Sequence, residues 1–124
     1  MKFLVVDDSV TMRRIIINAL QRIGYNDAIE ASDGKEALGR FDESIGFIIT
    51  DWNMPRMSGL EFARAVRATP AGAHVPILMV TTRGAREDIT EAVEAGVNNY
   101  VLKPFTPTLL KEKIELLTGA PSAA

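Results

Sequence analysis

Five times along this chain a short apolar run closes on a polar residue and gives way to apolar residues at helical spacing. Residues 3–6 (FLVV) close on Asp7 and Asp8, and Val10, Ile15, Ile16, Ala19, Leu20 and Ile23 then follow as a helix that stops at Gly24. Residues 28–31 make a weaker strand, and Asp33 with Glu36 forms a candidate capping box ahead of a helix carrying Ala37, Leu38 and Phe41. Phe47, Ile48, Ile49 and Thr50 run without a break into Asp51, as expected of a strand covered on both faces. The loop 51–58 contains Pro55 and leads through Ser58 and Glu61, a second candidate capping box, into a helix with Leu60, Ala63 and Val66. After a small polar connection at 69–73, Pro76 stands at the start of a fourth strand, 77–80, where its missing N–H costs little, and that strand ends at Thr81 and Thr82. Residues 84–95 read as a helix with Ile89, Ala92 and Val93 on one face and Gly96 at its C-terminus, followed by a short strand at 100–102. Thr106 as cap and Pro107 at the first helical position open the last helix, whose apolar face is Leu109, Leu110, Ile114 and Leu117.

Such alternation with short links predicts an α/β fold in which a doubly wound, five-stranded parallel sheet is covered by helices on both faces. All five strands then end at one edge, where ligands of such sheets lie. The residues after the first, third, fourth and fifth strands are Asp7 and Asp8, Asp51, Thr81, and Lys103, and they are expected to meet there. Three carboxylates at one edge repel one another unless a cation sits among them. The chain has no Cys and one His, His74, so the ligands on offer are hard oxygens and the expected ion is Mg2+. Asp8 and Asp51 would bind it directly, Asp7 directly or through water, and the Asn53 carbonyl would be a further donor. Lys103 and the Thr81 hydroxyl supply a positive charge and a neutral donor, the division of labour that a transferring phosphoryl group requires. Asp51 heads the loop after the central strand and is the expected nucleophile, giving an acyl phosphate.

The 124 residues make one domain, expected over 1–118, with a short flexible tail at 119–124. Its 14 basic and 16 acidic residues give a net charge of -2 and form no basic tract, which argues against nucleic acid as a partner. No apolar run approaches the roughly 20 residues that span a bilayer, and MKFLVVDD reaches two carboxylates too early for a signal peptide, so a cytoplasmic protein without membrane insertion is expected. No extra oligomerisation element is visible, and a monomer is expected.

At these residues the chain resembles the bacterial response-regulator receiver domain, and within that family the single-domain chemotaxis type. The resemblance rests on residues 3–8 with Met12, Arg13 and Arg14, on DWNMP at 51–55, on MVT ending at Thr81, and on Tyr100 with Lys103, Pro104 and Phe105. It implies a flavodoxin-like (βα)5 fold with strand order 2-1-3-4-5. It also implies a Mg2+-dependent switch that takes a phosphoryl group from a chemotaxis histidine kinase onto Asp51, with no catalytic activity beyond its own phosphorylation and dephosphorylation. Asp7 and Asp8 would hold the ion, Thr81 and Lys103 would sense the phosphoryl group, and Tyr100 would change side-chain position. The bond between Lys103 and Pro104 would be cis. An output face around Arg86, Ile89, Tyr100 and Lys113 would engage the flagellar motor switch protein, and a phosphatase would be a further partner.

One residue departs from the chemotaxis pattern: Arg83 stands where that type has an acidic residue. It either overhangs the phosphorylation site and, with Asn53, tunes the lifetime of the phosphoryl group, or it is a solvated surface charge. Trp52 is either a reporter of the site or loop packing. Two other functions use the same residues: a receiver or phosphate-transfer intermediate in a non-motor relay, and a Mg2+-dependent phosphatase with an Asp nucleophile. The phosphatase would need a second acid or base, and the loop after Asp51 offers no further carboxylate until Glu61. A flavin carrier is disfavoured, because carboxylates at the phosphate end carry the wrong charge.

Overall fold

A computed structural model describes residues 1–119; of the expected tail, Gly119 is described and 120–124 lie outside the described residues. In chain order the elements are β1 (Lys2–Val6), α1 (Val10–Arg22), β2 (Ala28–Ala31), α2 (Gly34–Arg40), β3 (Ile45–Thr50), α3 (Gly59–Arg67), β4 (Ile77–Thr81), α4 (Arg86–Glu94), β5 (Asn99–Leu102) and α5 (Pro107–Thr118). The strands pair in parallel in the order β2-β1-β3-β4-β5, as the family resemblance implied.

The unbroken apolar strands serve two cores at once, because successive side chains leave a strand on opposite faces. Leu4, Val6, Ile48, Ile77 and Met79 pack with Leu60, Phe62, Ala63 and Val66 of α3 and Ala92 of α4. Phe3, Val5, Phe47, Ile49, Leu78, Val80 and Val101 pack on the other side with Ile16, Ala19 and Leu20 of α1 and Leu110 and Ile114 of α5. Among the described residues no helix is long and apolar enough to cross a membrane.

Most helix starts follow their sequence signals. Thr106 accepts the Leu109 amide ahead of Pro107, and Ser58 with Glu61 closes a full capping box; Ser9, which was not singled out from the sequence, accepts the Met12 amide. At α2 the box is only half formed. Asp33 accepts the Glu36 amide at 2.8 Å, but the Glu36 carboxylate reaches the Ser32 amide at 3.1 Å instead of the amide of Asp33 itself. α5 ends on Gly119, whose φ of 71° is the left-handed conformation glycine adopts without strain.

Helical spacing overstates the buried face twice. In α1, Ile16, Ala19 and Leu20 are buried, whereas Val10 and Ile15 are exposed. In α4 only Ala92 is buried, and Ile89 and Val93 face outward. The short Ala92 and Ala95 side chains, both buried, are the ones on the inner face of the α4 segment. The strands also begin earlier than their apolar runs, β3 at Ile45 and β5 at Asn99.

Candidate phosphoryl and cation site

The sheet ladder continues past the strands and fixes the backbone of the site. Val6 pairs with Thr50, so Asp7 and Asp51 leave neighbouring strands side by side; the Asp7 amide donates to Ala31 at 3.1 Å and the Asp51 amide to Val6 at 2.9 Å. On the other side Thr81 pairs with Leu102, and the Lys103 amide donates to the Thr81 carbonyl at 2.9 Å. The peptide bond from Lys103 to Pro104 is cis.

Asp7, Asp8 and Asp51 each offer a carboxylate oxygen within 4.8 Å of the others. Lys103 sits between two of them: its Nζ donates to Asp7 Oδ2 at 2.9 Å and to Asp51 Oδ2 at 3.0 Å. Burial opposes the charge on Lys103, but the hydrogen bonds to Asp7 and Asp51 outweigh it and hold the ammonium pKa above its usual 10.5. The second oxygen of each bridged carboxylate is also taken. Asp7 Oδ1 accepts the Ser9 amide at 2.9 Å and Asp51 Oδ1 the Trp52 amide at 2.6 Å. Asp7 is buried, Asp51 is 12% exposed in its side chain, and Asp8 is exposed and has no hydrogen-bonding partner among the described residues.

Three carboxylates against one ammonium leave an excess of two negative charges. The donors are hard oxygens, and the unpartnered Asp8 is open to solvent, which suits a divalent cation such as Mg2+ that binds through one or two carboxylates and keeps several waters.

The loop after Asp51 is held from three sides. The Gly59 amide donates to the Trp52 carbonyl at 2.8 Å, and a Cβ at Gly59 would collide with the Asp51 carbonyl oxygen, so only glycine lets α3 start this close to the site. The Gly34 amide donates to the Met57 carbonyl at 3.0 Å. Arg56, itself at φ 66°, places Nε at 2.9 Å and Nη2 at 2.6 Å from Asp33 Oδ2. The Glu36 amide holds the Asp33 carboxyl below the usual carboxylate range, with Arg56 adding to that effect against the cost of burial.

The remaining expected residues surround this centre without touching the carboxylates. Thr81 is fully buried, and its hydroxyl accepts the Arg83 amide at 3.4 Å. Arg83 is no free surface charge: its guanidinium lies 4.3 Å above the Trp52 ring, 3.5 Å from Asp88 and 3.4 Å from Asn53 Oδ1. Trp52 itself is buried in the core on the α3 side. The Tyr100 hydroxyl donates to the Arg83 carbonyl, and burial, aided by the charge of Asp88, pushes the phenol up to about 12. Arg86 and Ile89 are exposed on α4 and Lys113 is half-buried on α5.

Arg13, Arg56 and Gly59 belong to the same neighbourhood, although strand-end spacing did not single them out as site residues. Each acts through backbone or through a partner distant in sequence, which spacing along one strand end does not reveal.

Residues 3–115 match the response regulator receiver domain family. The chemotaxis protein CheY1 of Helicobacter pylori is 52% identical over 121 residues, covering 96% of this chain and 98% of that protein. Among solved structures, the chemotaxis protein CheY4 of Vibrio cholerae is similar with a TM-score of 0.88 at 38% identity, covering 94% of this chain and 97% of that one. The receiver domain of a sensor histidine kinase from Pseudomonas aeruginosa, solved with a magnesium ion in its active-site cleft, gives a TM-score of 0.86 at 26% identity over 96% of this chain and 98% of that one.

Proposed function

This chain belongs to the response-regulator receiver family, a phosphorylation-dependent switch that works with a histidine kinase in a two-component system, and we propose that its output is chemotaxis through the flagellar motor switch protein. The observation that carries the chemistry is the carboxylate triad with the Lys103 ammonium bridging Asp7 and Asp51.

Asp51 is the phosphoacceptor. Asp7 and Asp51 are both bonded through both oxygens, but Asp7 is buried while Asp51, at the head of its loop, keeps 12% of its side chain exposed, and Asp8 is the unbonded carboxylate suited to an ion, so Asp51 is the one placed for attack. An Asp51 oxygen forms the new P–O bond as the P–N bond to the kinase imidazole breaks, and the departing nitrogen keeps the electron pair of that bond. Bound Mg2+, held by Asp8, Asp51, the Asn53 carbonyl and Asp7 directly or through water, would supply neutralisation of the charge on the transferring group. Lys103 stays beside the new acyl phosphate as a charge-assisted donor, and the Thr81 hydroxyl turns to it.

Turning Thr81 away from the Arg83 amide and tightening the β4–α4 loop alters the carbonyl that Tyr100 holds, and this biases the outer face of α4, β5 and α5 between two arrangements. That face, with Arg86, Ile89, Tyr100 and Lys113, engages the motor switch. Arg83, in contact with Asn53 and stacked over Trp52, the residue after Asp51, sets together with Asn53 how long the phosphoryl group survives, against water and against a phosphatase. The domain spans 1–118 and acts as a cytoplasmic monomer.

Labelling with acetyl phosphate or a phosphohistidine donor in the presence of Mg2+ tests the first step. The wild type should take up phosphate and Asp51→Asn should not; equal labelling of both would remove Asp51 as acceptor. The labelled wild type should then bind a motor-switch peptide more tightly than the unlabelled protein. Labelling without that gain in affinity would leave a receiver in a non-motor relay.

A further inference from the structure

Asp8 is the one carboxylate of the triad whose side chain nothing holds among the described residues, so its position is set by the backbone that carries it. The peptide unit between Asp7 and Asp8 is planar, and fixing the Asp7 carbonyl therefore fixes the plane that ends on the Asp8 Cα. That carbonyl accepts a hydrogen bond from Nη1 of Arg13, in the first turns of α1. The same guanidinium donates through Nε to Glu30 Oε1 at 2.9 Å, on the edge strand β2. Arg13 is well covered, its side chain 12% exposed against 46% for Glu30.

We propose that Arg13, steered by Glu30, is a positioning residue for the cation site: it clamps the Asp7–Asp8 peptide so that the Asp8 carboxylate faces Asp51. The proposal rests on the reading of the triad as a Mg2+ site. A guanidinium suits the task because its planar fork presents donors in two fixed directions at once, one to the carbonyl and one to the carboxylate, which an ammonium on a flexible stem does not reproduce. The neighbouring contacts complete the clamp without reaching Asp8. The Asp7 amide donates to Ala31, Asp7 Oδ1 accepts from Ser9, and Ser9 Oγ accepts from Met12 at 3.2 Å.

The sign of one measurement separates positioning from charge. If Arg13 acted only as a nearby cation, removing it would make the site more negative and tighten Mg2+. A positioning role predicts the opposite, with a loss of roughly tenfold, the lower end of what outer-shell partners of metal ligands contribute. Mg2+ is titrated into wild type, Arg13→Met, Arg13→Lys and, as a charge control on the same helix, Arg14→Met, reading Trp52 fluorescence and, in parallel, calorimetric heat; melting curves report folding. Arg13→Met, which keeps the aliphatic stem, should raise the Kd roughly tenfold, Arg13→Lys by an intermediate factor, and Arg14→Met should leave it unchanged or lower it. A folded Arg13→Met that binds Mg2+ as tightly as wild type or tighter overturns the proposal and leaves the cation site standing. If Arg13→Met does not fold, Arg13→Lys carries the test, and a wild-type Kd in that variant overturns the clamp. Absence of Mg2+ binding by the wild type overturns the cation reading and the clamp with it.

Discussion

Tyr100 and Arg83 hold each other by a contact that involves no charge on either: the phenol donates to a backbone carbonyl, and the guanidinium turns away to Trp52 and Asp88. Burial raises the Tyr100 pKa from 10.0 to about 12, so the neutral phenol is the form the fold retains. The stability this contributes is fully present below pH 10 and is lost as the pH climbs through 12, because the unfolded chain gives up the proton first. The chain has two tyrosines, so a Tyr25→Phe variant leaves Tyr100 alone. Its absorbance near 295 nm should titrate with a midpoint near 12, and a midpoint near 10 would place the hydroxyl in water. Replacing Arg83 with Glu removes the cation over Trp52 and sets a carboxylate beside Asp88. Loss of label from phosphorylated protein should then proceed at a changed rate; equal rates in the two proteins would end the role of Arg83 in lifetime. That Asp7, Asp8, Asp51, Thr81 and Lys103 lie at one sheet edge was legible because each follows an apolar run and parallel strands end on the same side. The direction of Arg83, the ammonium of Lys103 lying between two carboxylates, and the grip of Arg13 were not, because the reach of a long side chain depends on neighbours that one-dimensional spacing does not place.

The loop between β3 and α3 draws together the most interactions of any connection in the site. Ser58 and Glu61 cap α3 reciprocally, Gly59 brings the helix start against the Asp51 carbonyl, and Arg56 ties the loop to Asp33 at the head of α2. Ser58→Ala should cost about 1 kcal/mol in denaturant unfolding, the usual value of a helix cap, and leave labelling of Asp51 nearly intact. Gly59→Ala has no room for its methyl group and should displace the Asp51 backbone, lowering phosphate uptake by more than its loss of stability explains. Wild-type uptake by a folded Gly59→Ala would show that the close approach is dispensable. At this scale the apolar period announced each helix and the capping residues announced most starts. Period alone did not say which residues of an apolar face point inward: in α4 the inner place went to the short Ala92, with Ala95 buried at the C-cap, while the larger Ile89 and Val93 were left outside.

Across the whole molecule, one edge of the sheet gathers the three carboxylates and Lys103, while Ile89 and Val93 of α4 and Leu102 of β5 expose apolar surface within the described residues. Single apolar side chains on a surface are ordinary, but three on adjoining elements give a partner something to cover. Val93 is 60% exposed, so a charge there, as in Val93→Glu, should change stability by less than about 0.5 kcal/mol. Phosphorylation should be normal and affinity of the phosphorylated protein for the motor-switch peptide should fall at least severalfold; undiminished affinity would move the output surface elsewhere. The span of the site along the chain has a consequence for biosynthesis. Lys103 lies 96 residues beyond Asp7 and 52 beyond Asp51. A chain emerging from the ribosome therefore carries its acidic residues long before it carries their counter-charge, and the pocket comes together only after the final strand is made and docked. Copies that end before Lys103 therefore hold Asp7 and Asp51 without the ammonium that bridges them in the finished fold.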